Sequence, residues 1–195
     1  MLTIRRGKDT RTVHALVANL ADLPDGATLA TAELVAGLPV KEGSVIGRDA
    51  SGIAHLLKTA VMYAAAAASA TEYQVAKGSH FKKGDCIMAT VGKTATTITA
   101  IDRDSSTMYD TITVEATLGA AAVGAVLKSA EEAATKGVLS VTPEALLAEG
   151  YDVESNTNLF VAGVTIGQFK TALVPGIDSD IKSALLDNGV FINFV

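Results

Sequence analysis

The segment from residue 72 to residue 118, EYQVAKGSHFKKGDCIMATVGKTATTITAIDRDSSTMYDTITVEATL, constrains the fold more than any other. Short runs rich in Val, Ile, Thr and Tyr alternate with clusters of Gly, Lys, Asp and Ser, the pattern of consecutive antiparallel strands. It predicts strands at 73–76, 86–91, 94–101 and 111–116. Gly92-Lys93 alone separates the second from the third, which predicts a two-residue hairpin connection. Side chains alternate along a strand, so Val91 and Ile98 are expected to face a core, with Thr97 and Thr99 facing water. About 45 residues in four strands make a small curled sheet or barrel, too small for a large apolar core of its own. The segment should therefore lean on the rest of the chain or on other copies of it.

The rest of the chain suits that role. Hydrophobic residues make up 49% of the 195, enough for a buried core, although Ala inflates the figure. Aromatics are 5% and Trp is absent, so aromatic-led binding surfaces are scarce. A net charge of −5 argues against nucleic acid as a partner, because that task needs a basic field. The single cysteine, Cys86, excludes an internal disulfide and a cysteine-cluster metal site, and its CIMA context reads as a small buried hydrophobe. The longest mostly apolar run, 60–68, is about half the length of a bilayer-spanning helix, so no membrane association is expected. The basic start (Arg5, Arg6, Lys8, Arg11) before VHALVANLA mimics a leader, but His14 and Asn19 interrupt its apolar part, and secretion is not expected.

Val13, Leu16, Val17 and Leu20 fall at helical spacing, with Thr12 as a cap, and predict a short helix. Leu23-Pro24-Asp25-Gly26 is a turn. The segments 45–48 and 53–56 flank Asp49-Ala-Ser-Gly52 and predict a hairpin with a four-residue loop. The Ala-rich stretch 58–70 suits either a helix or a tightly packed extended segment. A second small-residue stretch, 119–126, lies on the far side of the strand-rich block, and this bracketing suggests a domain insertion. Ser129-Ala-Glu-Glu132 matches a capping box with a stop at Gly137. Residues 138–141 are strand-like, and Thr142-Pro143-Glu144 predicts a short helix ending at Gly150. Residues 158–167 are strand-like. Residues 178–187 predict a capped helix presenting Ile181, Ala184 and Leu185 on one face, closed by Asn188-Gly189. The terminal FINFV carries large apolar groups on both faces, including Ile192 and Phe194, so it should lie in a sheet or a subunit interface.

Catalytic patterns are missing. His14, His55 and His80 form no metal-binding spacing, and no nucleophile elbow, P-loop or dinucleotide fingerprint occurs. The loop 78–85 has two readings. Lys82, Lys83 and backbone N–H groups suit an anion; alternatively Gly84-Asp85 makes a turn and Phe81 plugs one end of the barrel. The second is preferred, because no helix start stands behind the loop. Asp102, Asp104 and Asp110 with Ser105 and Ser106 do not follow the calcium-loop spacing and read as a solvated loop. His55 is read as a surface or satisfied core residue, since no partner for catalysis is near in sequence. No side chain is assigned a catalytic, cofactor-binding or metal-ligating role, and no enzyme activity or cofactor is expected.

Several segments resemble a known family. Gly43-Ser-Val-Ile-Gly47 followed by Asp49-Ala-Ser-Gly52 resembles the Gly-led hairpin of the lambda-type head decoration proteins of tailed bacteriophages. Gly137-Val-Leu-Ser-Val141 resembles their returning strand. Asn158-Leu-Phe-Val-Ala-Gly-Val-Thr-Ile166 with Ala172-Leu-Val-Pro175 resembles their closing segment. The chain as a whole is similar to the head fibre proteins of phages and prophages, which share the Val75-Ala-Lys-Gly…Phe81-Lys…Gly84-Asp85 loop and the Asp178-Ser-Asp-Ile-Lys-Ser-Ala-Leu185 helix. The lambda-type proteins lack a block like 72–118. The resemblance implies a mainly β (β+α) fold: a decoration-protein-like β-sheet core with short helices and an inserted small β-barrel. The expected organisation is an arm over 1–27, a core over 28–70 and 127–195, and the barrel over 71–126. The implied function is that of a structural virion protein, made in the host cytoplasm, that sits on the capsid surface as a homotrimer bound to the major capsid protein. A host-surface glycan is a further candidate partner. The alternative is a small-ligand or glycan-binding β-module without catalysis.

Overall fold

The structure, a computed structural model, describes residues 13–154 and 157–195. It is mainly β, with sixteen strands, one α-helix and one short 3-10 turn among the described residues. In chain order the strands are β1 (Leu16–Asp22), β2 (Ala27–Leu29), β3 (Pro39–Val40), β4 (Val45–Arg48), β5 (Ile53–Leu56) and β6 (Thr59–Val61). Then come β7 (Glu72–Ala76), β8 (Cys86–Met88), β9 (Ala95–Asp102), β10 (Tyr109–Val114) and β11 (Val126–Ala130). The last third holds β12 (Ala145–Leu147), β13 (Tyr151–Asp152), β14 (Leu159–Val161), β15 (Gly163–Phe169), helix α1 (Ser179–Asp187) and β16 (Phe191–Phe194).

Eight strands form one sheet in the order β1-β15-β12-β4-β5-β2-β14, with β16 added parallel to β15. This sheet is a middle layer. Neighbouring residues on one strand point to opposite faces, so Ile46, Ala145 and Leu147 enter a core with Leu29, Leu34, Val40 and Val153. Val45, Leu146 and Val164 enter a second core on the other face, with Phe169, Val174, Ile181 and Leu185. Burial on both faces explains why β4 and β12 read as continuous apolar runs.

Six strands form the second sheet, β6-β11-β8-β9-β10-β7. It is curled into a half-barrel, and its two edges touch where Met62 bridges Val75 and the Tyr63 N–H donates to the Gln74 carbonyl. Tyr73, Phe81, Ile87, Ile98, Ile112 and Leu127 fill the interior. The segment 71–126 supplies β7 to β10, while β6 and β11 lie at or beyond its ends.

The hairpin over β4 and β5 matches its sequence signal: the Asp49 N–H donates to the Ile53 carbonyl, and Gly52 takes the left-handed conformation at φ 81°. Helix α1 also begins where its cap predicts, with the Asp178 carboxylate accepting from the Ile181 N–H at 3.0 Å. Full burial of Ile181 and Leu185 contributes about 2 kcal/mol each.

Other local signals are overridden by tertiary pairing. The helix expected at 13–20 is strand β1, which pairs antiparallel with β15 through three register shifts; its expected cap, Thr12, lies outside the described residues. The apolar spacing marks no buried face here, because Val13, Val17 and Leu20 are all exposed. The capping box at 129–132 starts no helix, because Ser129 and Ala130 pair with Ile87 and Cys86. The helix expected from Thr142 to Gly150 is replaced by β12, fixed by the Glu144 N–H on the Ile46 carbonyl. Residues 138–141 make one bridge, Leu139 to Ala130. The Ala-rich stretch is extended and bridges Ala121 through Ala66. The two-residue hairpin at Gly92-Lys93 is also corrected: pairing stops at Met88 opposite Ala95, a six-residue connection follows, and Val91 is solvent-exposed rather than inward. Gly137 explains the widening, since its N–H donates to the Lys93 carbonyl and its carbonyl accepts from the Gly92 N–H.

The sheets are joined by a buried ion cluster. Lys128, on the central strand β11, has no solvent-exposed surface. Its ammonium donates to the Ala89 carbonyl at 2.9 Å, lies 3.0 Å from the Asp180 carboxylate, and pairs with Asp178. Asp180 also accepts from the Val91 N–H at 3.0 Å. The first turn of α1 is thereby fixed to the half-barrel. Replacing both carboxylates in Asp178→Asn/Asp180→Asn keeps a competent cap but leaves a buried ammonium unpaired, so urea unfolding followed by circular dichroism should show a loss of about 3–5 kcal/mol. A loss under about 1 kcal/mol would show that the cluster does not hold the sheets together.

Gly47 makes a second close approach. A Cβ there would stand 1.9 Å from the backbone carbonyl oxygen of Thr142. Gly47→Ala must push β4 away from the 142–144 segment, with an expected loss of about 1–3 kcal/mol or more in the same unfolding measurement. A neutral Gly47→Ala would mean that segment is free to move.

Candidate functional site

The hairpin pairing sets His55 opposite Gly47 and turns its ring toward the loop carrying Asp49. His55 Nε2 stands 3.4 Å from Asp49 Oδ2, and Nδ1 pairs with Glu33. Asp49 is held in place by its own loop, accepting from the Ser51 and Ile53 N–H groups at 2.8 and 2.9 Å. These backbone donors, above all Ile53, keep its carboxyl below the usual carboxylate value. Burial alone would lower the His55 pKa, but Glu33 and Asp49 outweigh it and hold the imidazolium above the ordinary 6.5.

This carboxylate–imidazole–carboxylate row lines a cleft of about 590 Å³ between the two sheets. The other walls carry Arg48, paired with Glu144 at 2.8 Å, and Lys58, paired with Asp85 at 2.8 Å. Cys86 is half-buried at its edge, against Met88, Ala95 and Ala130. Ser129 Oγ and Ser140 Oγ share a hydrogen bond of 2.5 Å. Arg48, Lys58 and His55 are thus matched by carboxylates of the chain, while Glu131 also lines the cleft.

The loop 78–85 is committed to structure. Phe81 is fully buried in the half-barrel core. The Asp85 N–H donates to the Lys82 carbonyl, and Gly84 sits at φ 93°, closing the turn. Arg103 Nη2 donates to the Ser79 and Phe81 carbonyls at 3.1 and 2.7 Å, while Lys82 Nζ donates to the Ala32 carbonyl at 3.0 Å. The acidic residues 102–110 diverge. Asp102 accepts from the Asp104 and Ser105 N–H groups, whereas Asp110 is buried and pairs with Lys77 at 2.9 Å. Among the described residues, no group of three His, Cys, Asp or Glu side chains converges as a metal would need. No described helix is long and apolar enough to cross a membrane.

Sequence reasoning placed His55 without a partner. Asp49 was recoverable, because the hairpin that the sequence predicts folds it back six residues; Glu33, from a segment with no pattern of its own, was not. No protein-family description matches the chain, no curated protein is similar to it, and no solved structure matches its fold.

The His55 row has a definite pH signature. The folded chain holds this proton more tightly than the unfolded one, so the stabilisation is complete below about pH 6.5 and is lost as pH rises through the raised folded value. His55→Gln should therefore lower the melting temperature more at about pH 5.5 than at about pH 9. Equal effects at both pH values would show that the ring is neutral between its carboxylates.

Proposed function

We propose that this chain is a structural virion protein that decorates the capsid exterior as a homotrimer, seated on the major capsid protein, with the half-barrel presented outward. The observation that carries the reading is the exposed C-terminal edge. Strand β16 has β15 as its one ladder partner among the described residues. Phe191 is 55% exposed and stands in register beside the exposed Ile166, and Leu186 of α1 and Val195 are exposed nearby in sequence. An apolar groove of about 420 Å³ runs between α1 and β16. A lone chain leaves this edge open to uncontrolled pairing, a liability that assembly removes. The resemblance of the hairpin 43–52 and of the closing segment 158–175 to the decoration proteins supplies the identity of the assembly.

The C-terminal strand is also tied inward. Phe194 is half-buried, packs on the α1 core and lies under Lys182 Nζ, 4.7 Å from its ring centroid. Phe194→Asp therefore tests folding as much as assembly, whereas Phe191→Asp changes an outward residue. Light scattering should give a trimer mass for the wild type and a monomer mass for Phe191→Asp with its circular dichroism unchanged. Purified capsids should co-sediment the wild type alone. A wild type that stays monomeric at all concentrations overturns the reading.

A second reading, a glycan-binding or small-ligand β-module, is favoured by one feature, the polar cleft beside His55. A ligand there would raise the melting temperature of wild type and Phe191→Asp alike, and this separates it from assembly.

A further inference from the structure

We propose that His80 is an acid-released latch of the half-barrel: its neutral ring clips the 78–85 loop to the 35–39 segment, which follows β2 and ends in β3, and protonation opens that clip. The ring is 6% exposed. Its Nδ1 accepts from the Val35 N–H at 3.3 Å, and its Nε2 faces the Pro39 carbonyl at 3.2 Å, to which it donates. One neutral tautomer alone satisfies both contacts, with the proton on Nε2. A second proton on Nδ1 would point at the Val35 N–H, donor against donor.

The surroundings oppose that proton as well. Lys58, which leads into β6, Arg103, which follows β9, and Lys82, in the loop itself, each place positive charge toward the ring. Of the acidic residues that the loop and β10 carry, Asp85 is engaged by Lys58 and Asp110 by Lys77. Burial above all holds the His80 pKa below the ordinary 6.5; the hydrogen bond to the Pro39 carbonyl opposes it, and Lys58, Arg103 and Lys82 each add a further push downward. The unfolded or opened loop binds the proton more readily, so the clip weakens as pH falls from about 6.5 toward the folded value.

The same segment is held from its other side by a contact of the opposite sign. Glu33 lies two residues before Val35 and pairs with His55, whose proton is favoured in the folded chain. Acidification therefore strengthens the grip of the β4–β5 hairpin on the 31–39 segment while removing the His80 contact, which leaves Lys82 on the Ala32 carbonyl as the loop's other tie to that segment. The Lys128 cluster persists, because Asp180 remains ionised to lower pH: burial alone would raise its pKa, but the Val91 N–H and Lys128 outweigh that. Acid thus removes the His80 contact and keeps the Lys128 cluster, which makes it a signal for a local loosening at Val35 and Pro39 rather than for unfolding.

Amide hydrogen exchange on the full chain tests this, with rates normalised for the intrinsic effect of pH. On going from about pH 7.5 to about pH 5.5, the protection of the Val35 amide should fall roughly tenfold, while that of Ile46 and Leu147 in the larger sheet stays constant. In His80→Gln, whose amide keeps an acceptor and a donor but does not titrate, the protection of Val35 should be flat across the range. Nitrogen chemical shifts of the wild-type imidazole need no variant and should show the Nε2–H tautomer with a titration below 6.5. Constant Val35 protection in the wild type, an equal fall in His80→Gln, a simultaneous loss at Ile46 and Leu147, or a ring titrating at or above 6.5 would each overturn the latch.

Discussion

A lysine ammonium with no access to water is the constraint on which the rest of this structure depends. Lys128 lies on β11, whose five residues are all buried. Removing that charge from water costs several kcal/mol unless its partners are placed well. The partners are the Ala89 carbonyl, at the end of β8, and two carboxylates from the start of α1. Asp178 also caps the helix, so the atoms that start α1 neutralise the buried charge. The helix cannot shift along the sheet without stranding Lys128, and β11 cannot slip by one residue without turning Lys128 to its opposite face. The ion cluster thus sets the relative position of elements that apolar packing alone would leave free to slide.

That position decides what the loops can do. Within the frame that α1 fixes, the 78–85 loop lies against the 31–39 segment that follows β2, through Lys82 on the Ala32 carbonyl and His80 on Val35 and Pro39. A Lys-rich, Gly-bounded loop would suit an anion if it stood free. Here Lys82 donates to a backbone carbonyl, Phe81 is spent in the core, and Arg103 spans two carbonyls of the same loop. Two buried polar atoms there, Ser79 Oγ and Arg103 Nε, have no hydrogen-bond partner among the described residues. They mark the place where satisfaction of the loop is thinnest, beside the one histidine whose ring must stay neutral.

What the sequence made legible follows from the range of the deciding interaction. The hairpin of β4 and β5 and the cap of α1 are settled within about ten residues, and their signals read true. The strands of the half-barrel were also visible, because alternation and turn residues are local. The errors fall where a distant partner decides. Thr142, Pro143 and Gly150 carry proper helix signals, yet the Thr142 carbonyl must lie against Gly47, and a helical turn there would collide with β4. Leu16, Val17 and Leu20 have helical spacing, yet the pairing of β1 with β15 makes them a strand on which Val17 and Leu20 stay exposed. Of the candidate site, the Asp49–His55 pairing was implicit in the hairpin. Neither Glu33 nor the pairing of Lys128 with residues fifty positions away leaves a mark in composition or spacing.

The C-terminal edge carries the argument from fold to function. A chain that uses its buried positions this fully has little reason to leave Phe191 and Ile166 side by side in water. Such a pair is tolerated singly, but here it adjoins a strand whose outer edge has no ladder partner among the described residues, and a groove lined by Leu186 and Ile192. Lys182 over Phe194 and the Thr171 N–H on the Val195 carbonyl hold the strand in place in the single chain. The edge is therefore prepared before any partner arrives, so little conformational freedom remains to be lost on contact. A preformed apolar edge with an open ladder suits a permanent neighbour better than a transient ligand.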